Sequence, residues 1–149
     1  MQKEISYDYI RGLVDGEGCF SFHTVPGRVG SGFEKMRIPV FAISMHERDE
    51  ALITALRDKL GLKNRVYNHK PSLGDGANRG RKSTLFVRDI GALKNVIIPL
   101  FYNRLFGYKG KQFVEWLEKI GNDPRVPDLY KLLYRLHKSG FYTKNQKFL

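Results

Sequence analysis

Apolar residues divide the chain into stretches of helical and of strand period. From residue 7 to 17 the spacing is helical, with Ile10, Leu13 and Val14 on one face at ~100° per residue. Ser6 is placed to cap this helix, and Asp8 sits in its first turn, where a carboxylate suits the helix dipole. The period then falls to two: residues 18–25 and 34–44 are predicted strands, joined by the flexible turn 26–32. Ser44-Met45-His46-Glu47 has the spacing of a capping box, and Leu52, Ile53, Leu56 and Leu60 give a second helix ended by Gly61. Residues 64–70 and 83–88 read as two more strands on either side of a loop rich in glycine and basic residues. Asp89 is placed to cap a third helix carrying Ile90, Leu93 and Ile97, which Pro99 is expected to disrupt. Residues 111–120 form a fourth helix stopped at Gly121, residues 127–138 a last one, and 140–149 a loose basic tail.

The order helix, two strands, helix, two strands, helices predicts an α+β fold: a four-stranded antiparallel sheet with helices on one face. The 149 residues make a single domain, with its core at about 6–120. The other sheet face is left open to the residues that alternate outward along the strands.

The first helix carries a second face. Asp8, Gly12 and Asp15 lie opposite the apolar stripe, with Gly16 at the margin, so this side is nearly bare backbone. Each interior helical glycine costs about 0.5–1 kcal/mol relative to alanine. The glycines therefore imply a requirement, and close approach of another backbone meets it. Gly16 and Gly18 flank Glu17 and suit the end of the helix, leaving Glu17 on a tight turn.

Charge narrows the class of partner. The 26 basic residues against 15 acidic ones leave +11, which favours a polyanion, nucleic acid before an acidic membrane. No run approaches the ~18 consecutive apolar residues of a membrane span, and the N-terminus lacks the apolar core of a signal peptide. One cysteine allows no internal disulfide, so an intracellular location and a buried, structural Cys19 are expected. One cysteine and four scattered histidines give no zinc spacing, and there is no P-loop, dinucleotide motif or nucleophile elbow.

Residues Ile10 to Gly18 resemble the nine-residue signature of the LAGLIDADG homing endonucleases, in its form with glycine and glutamate near the end. The predicted element order resembles the family fold as well. The resemblance implies that the signature helix forms the interface between two such units, and that each sheet lies in the major groove of double-stranded DNA. With one signature in the chain, it implies a homodimer joined through Asp8, Gly12, Asp15 and Gly16, and a near-palindromic target. It implies that Glu17 and the Gly16 carbonyl hold a catalytic divalent cation, magnesium first, with manganese an alternative. A lysine at the start of the helix before Phe113 and Trp116 is implied to orient the attacking water; Lys109 is the first candidate and Lys111 the other. Met45 stands where family members often have a polar residue and cannot hydrogen-bond a water in that role. The adjacent His46 reads more simply as an exposed first-turn residue.

Contacts to bases or phosphates are expected from Ser21, His23, Arg37, Arg65, Tyr67, His69, Lys82, Thr84 and Arg88 on the strands. Arg28 and Arg79 in the loops are expected on phosphate. The expected activity is a staggered double-strand cut in a long DNA site by an intron-encoded enzyme. The alternatives are an RNA-binding maturase acting on its own intron, or a DNA-binding protein without cleavage. A structural RNA-binding protein would explain the charge but leaves Gly12, Gly16 and Glu17 without a reason.

Overall fold

The structure, a computed structural model, describes residues 3–70 and 80–149. Helix α1 (Tyr7–Glu17) leads into β1 (Gly18–Pro26) and β2 (Lys35–His46). A short 3-10 turn, Glu47–Asp49, then enters α2 (Glu50–Lys59). Next come β3 (Val66–His69), β4 (Lys82–Val87) and a continuous helical segment α3 at 90–101. Helices α4 (Tyr108–Asn122), α5 (Asp128–Lys138) and the short α6 (Phe141–Lys144) complete the chain. The four strands form one antiparallel sheet in the order β1-β2-β4-β3. The expected fold class is therefore the observed one.

Register settles which face of each strand is inward. Phe20 pairs with Phe41, Phe41 with Val87, and Ile43 with Leu85. Paired residues of an antiparallel ladder share a face. This face meets Ile10 and Val14 of α1, Ile53 and Leu56 of α2, and Phe113, Trp116 and Leu117 of α4 in one core. Phe20 lies at its centre, with the rings of Phe41, Phe101, Phe113 and Trp116 all 5.0–5.8 Å from it. The Trp116 indole N–H donates to Ser21 O at 2.8 Å, so this buried polar group is satisfied.

Ser6 caps α1 as expected, its Oγ accepting from Tyr9 N at 3.0 Å. Gly61 closes α2 with φ +69°, a conformation that L side chains rarely adopt. Four other local expectations are corrected. Ser44 does not cap a helix: β2 runs on to His46, whose Nδ1 accepts from Arg48 N. Pro99 does not break α3, because a π turn at Leu93–Ile97 precedes it and closes with Ile98 N–H on Leu93 O. That wider turn re-phases the backbone just before the residue that lacks an N–H.

Gly121 is not a stop. It lies inside α4, and a Cβ there would sit 2.3 Å from the Tyr134 ring of α5. Its bareness therefore serves close packing of α4 on α5. Gly121→Ala is expected to lower stability by about 1–3 kcal/mol, measured by urea unfolding, because the ring carbons it meets are the rigid base of Tyr134. An unchanged midpoint would show that α5 shifts freely.

Nor is the C-terminus a loose tail. Tyr142 is buried, the Phe148 ring meets Tyr7 edge-on at 5.0 Å, and Phe148 O accepts from Arg11. Arg11 is itself buried, and its remaining donors reach Leu100 O at 2.8 Å and Asp8 Oδ1 at 2.9 Å. One guanidinium thus ties α1 to α3 and to the chain's end.

Candidate active site and DNA interface

The apolar stripe of α1 turns Ile10 and Val14 into the core, which leaves Gly12 and Gly16 exposed on the far side. A Cβ built at either glycine meets nothing within 4 Å. Neither is required by packing inside the protomer. Tyr9 lies on the same stripe and is 51% exposed, an apolar contribution to this face that the sequence analysis passed over.

Asp15, expected at the helix interface, has a role inside the protomer as well. Its carboxylate accepts from Phe106 N and Gly107 N, both at 3.0 Å, and Gly107 is the N-cap residue of α4. The signature helix thereby fixes the start of α4, and α4 begins three residues earlier than predicted. Lys109 and Lys111 both fall in its first turn. Lys109 is half-buried, whereas Lys111 is exposed, 4.0 Å from Glu115 and above the Tyr108 ring. Asp15 therefore brings Lys109 toward the end of α1.

Glu17 is the last residue of α1, exposed, with no hydrogen bond or ion pair among the described residues. Gly18 ends the helix in extended conformation, φ −78°, so its glycine is not needed for a left-handed turn. A Cβ there would lie 2.5 Å from Val14 Cγ1, and close packing is the reason for the glycine. Phe20 N–H, the donor that would reach Gly16 O if the helix continued, faces Gln112 Oε1 at 3.5 Å. The Gly16 carbonyl is thus one of the orphan acceptors of a helix end. A free carboxylate and a free carbonyl are hard oxygen donors, suited to magnesium-like cations. Among the described residues no group of three or more His, Cys, Asp or Glu that could hold a metal ion forms.

The open sheet face carries most of the expected DNA contacts. By register Ser21 and His23 lie there with Val40 and Ile38, and Tyr67 and His69 with Thr84 and Lys82. Arg65 extends the row, its guanidinium 4.9 Å above the Tyr67 ring. Arg88 follows β4, exposed, and its charge joins burial in lowering the His23 pKa. Arg28, in the β1–β2 turn, is exposed. Arg79 lies outside the described residues.

Two expected contacts are corrected. Arg37 is on the helix side, 2.8 Å from Asp123 Oδ2 and stacked on Phe22. Burial would raise the Asp123 pKa, but the Arg125 N–H and the Arg37 guanidinium outweigh it and hold the carboxyl below its usual range. Thr84 is 2% exposed, and its hydroxyl is shared with Ser44 Oγ and His69 Nε2, both at 2.7 Å. It organises the sheet and reads nothing outside it. His46 is also on this face, opposite Lys82, because β2 is longer than predicted. Cys19 is exposed, against expectation.

The sequence model of the LAGLIDADG endonuclease family matches residues 10–120, from the glycine-faced helix through α4. This chain belongs to the LAGLIDADG endonuclease family. Among solved structures it is similar to the homing endonuclease I-LtrWI bound to target DNA, at 25% identity and a TM-score of 0.62. That match covers 76% of this chain and 36% of I-LtrWI. The meganuclease I-SmaMI, solved on uncleaved DNA in the presence of calcium ions, is 24% identical with a TM-score of 0.60, covering 89% and 43% of the two chains. The homing endonuclease I-TnaI is 20% identical with a TM-score of 0.58, covering 92% of this chain and 99% of its own. The LAGLIDADG chain thus spans less than half of I-LtrWI and I-SmaMI and nearly all of I-TnaI. No functionally curated protein matches it in sequence.

Proposed function

We propose that two copies of this chain pack α1 against α1 through Gly12 and Gly16, and that the pair makes a staggered double-strand cut in a long, near-palindromic duplex. The observation that carries this is the end of α1. There a carboxylate and a carbonyl without partners among the described residues lie near a lysine-bearing helix start, beside a glycine face where an added Cβ meets nothing within 4 Å. The lengths of the relatives support it. The matches cover less than half of I-LtrWI and I-SmaMI, and pairing this unit with a copy of itself presents two sites.

In this arrangement each protomer acts on one strand. Glu17 and the Gly16 carbonyl hold the cation, and the two Glu17 carboxylates need positive charge between them to lie close. Magnesium, or manganese, when bound there would supply Lewis-acid charge stabilisation at the scissile phosphate. Lys109 orients the attacking water, and Asp15 keeps Lys109 in place by holding residues 106 and 107. Arg65, Lys82, Arg88 and Arg28 neutralise phosphates, and Ser21, His23, Tyr67 and His69 face the groove. Two-fold symmetry of the protein is matched by near-palindromy of the DNA. Intron homing accounts for a chain that must find one long site in a genome.

The test is incubation of purified protein with a randomised duplex library, with magnesium and with EDTA, followed by sequencing of cut ends. Site-specific ends that appear with magnesium alone are expected; their absence from both reactions sinks the endonuclease reading. Binding to a recovered site should also weaken steeply with salt. If ~6–10 phosphates are neutralised, log K falls against log[salt] with a slope of roughly −5 to −9. A flat response would assign the +11 charge to another partner.

A further inference from the structure

The rim of the open sheet face is rich in hydrogen-bonding side chains, but its centre, where Cys19, Ala42 and Phe86 pair in a row across β1, β2 and β4, carries no hydroxyl, amide or charged group. Ala42 and Phe86 pair directly across β2 and β4, and Val40, two residues along, is wholly buried although it lies on this face. The Phe86 ring is met by His23 at 5.1 Å and 64°, and by Tyr67 at 6.2 Å and 55°. The hydroxyls of β2 and β4 on this face, Ser44 and Thr84, are engaged with each other and with His69. Burial, with the Arg88 charge second, lowers the His23 pKa and so disfavours a charge on the ring beside Phe86. A base pair placed over Ala42 and Phe86 gains apolar contact from them.

In the major groove the apolar group of a base edge is the 5-methyl of thymine. We infer that Phe86, with Ala42 beside it, reads thymine methyl groups and specifies an A·T pair in the middle of each half-site. Charge fixes the class of occupant: Arg65, Lys82 and Arg88 border the patch, and the chain carries +11. The ring geometry separates methyl contact from stacking on unpaired bases, which requires open ring faces. Here one face of Tyr67 is under Arg65 at 4.9 Å, and the other rings are tilted against one another.

The inference rests on duplex recognition by the sheet, and the experiment separates the two. Wild-type protein selects from a randomised duplex pool by mobility shift in calcium. The best site is then resynthesised with deoxyuridine replacing thymidine, one position at a time, and also as its two single strands. At least one thymidine in each half-site is expected to show about fourfold weaker binding as deoxyuridine, the loss of one buried methyl. Phe86→Ala should abolish that difference, and the wild-type measurement decides the matter even if the variant folds poorly. Duplex binding indifferent to every uridine replacement overturns the inference and leaves duplex recognition standing. Tighter binding to the single strands than to the duplex overturns both.

Discussion

Glu17→Gln is expected to bind its DNA site as tightly as the wild type, or slightly more tightly, while cleavage falls by orders of magnitude. The carboxylate has no hydrogen bond or ion pair among the described residues, so its loss breaks none there. It is exposed at the end of α1 and does not border the core, and folding should be unaffected. Glutamine keeps the size and one acceptor oxygen but removes the charge that holds a cation. Two such changes in a dimer also relieve repulsion against phosphate, hence the small gain in affinity. The change should fall on kcat and leave the Kd for DNA nearly untouched. A mobility-shift titration in calcium and a cleavage assay in magnesium, on the same duplex, check both halves. Cutting at a comparable rate would remove Glu17 from the chemistry. Loss of binding and cutting together would assign it to the fold.

What could be read from the sequence was what local period and capping decide. The helical stripe Ile10/Val14, the outward rows Arg65-Tyr67-His69 and Thr84-Phe86-Arg88, the Ser6 cap and the Gly61 stop each depend on residues within a few positions, and each is found. What could not be read depends on partners far along the chain. Nothing near Asp15 in the sequence shows that its carboxylate accepts from backbone N–H groups 91 and 92 residues later. Thr84 looked like a reader because alternation places it outward, yet Ser44, 40 residues away, engages its hydroxyl across the ladder. The basic tail is ordered by a buried arginine 137 residues upstream. Gly121 had the right spacing for a helix stop, and only the arrival of Tyr134 shows that it is a packing glycine. Glu17, Gly16 and Lys109 are candidates through the resemblance alone; the structure adds that Glu17 is the last residue of α1 and that Lys109 lies in the first turn of α4. That Asp15 links the end of α1 to the helix of Lys109 was not legible in the sequence.

The largest effect on assembly is expected from Gly12→Leu. Inside the protomer the change is harmless: a Cβ at Gly12 meets nothing within 4 Å, and leucine is a better helix former by about 0.5–1 kcal/mol. Its thermal midpoint should equal or slightly exceed that of the wild type. Between protomers the same side chain stands where two backbones must approach, and it forces the helices apart. Light scattering at micromolar concentration should give twice 17.2 kDa for the wild type and 17.2 kDa for the variant. DNA affinity should fall by about 10²–10⁴-fold, because a half-site contact no longer holds the other half at high effective concentration. Double-strand cutting should disappear even though Glu17 and Lys109 are intact in each monomer. Gly16→Leu should behave the same way, since its Cβ is equally unobstructed. A folded Gly12→Leu dimer that still cuts both strands would place the interface on another surface, and the exposed glycine stripe of α1 would need a different occupant.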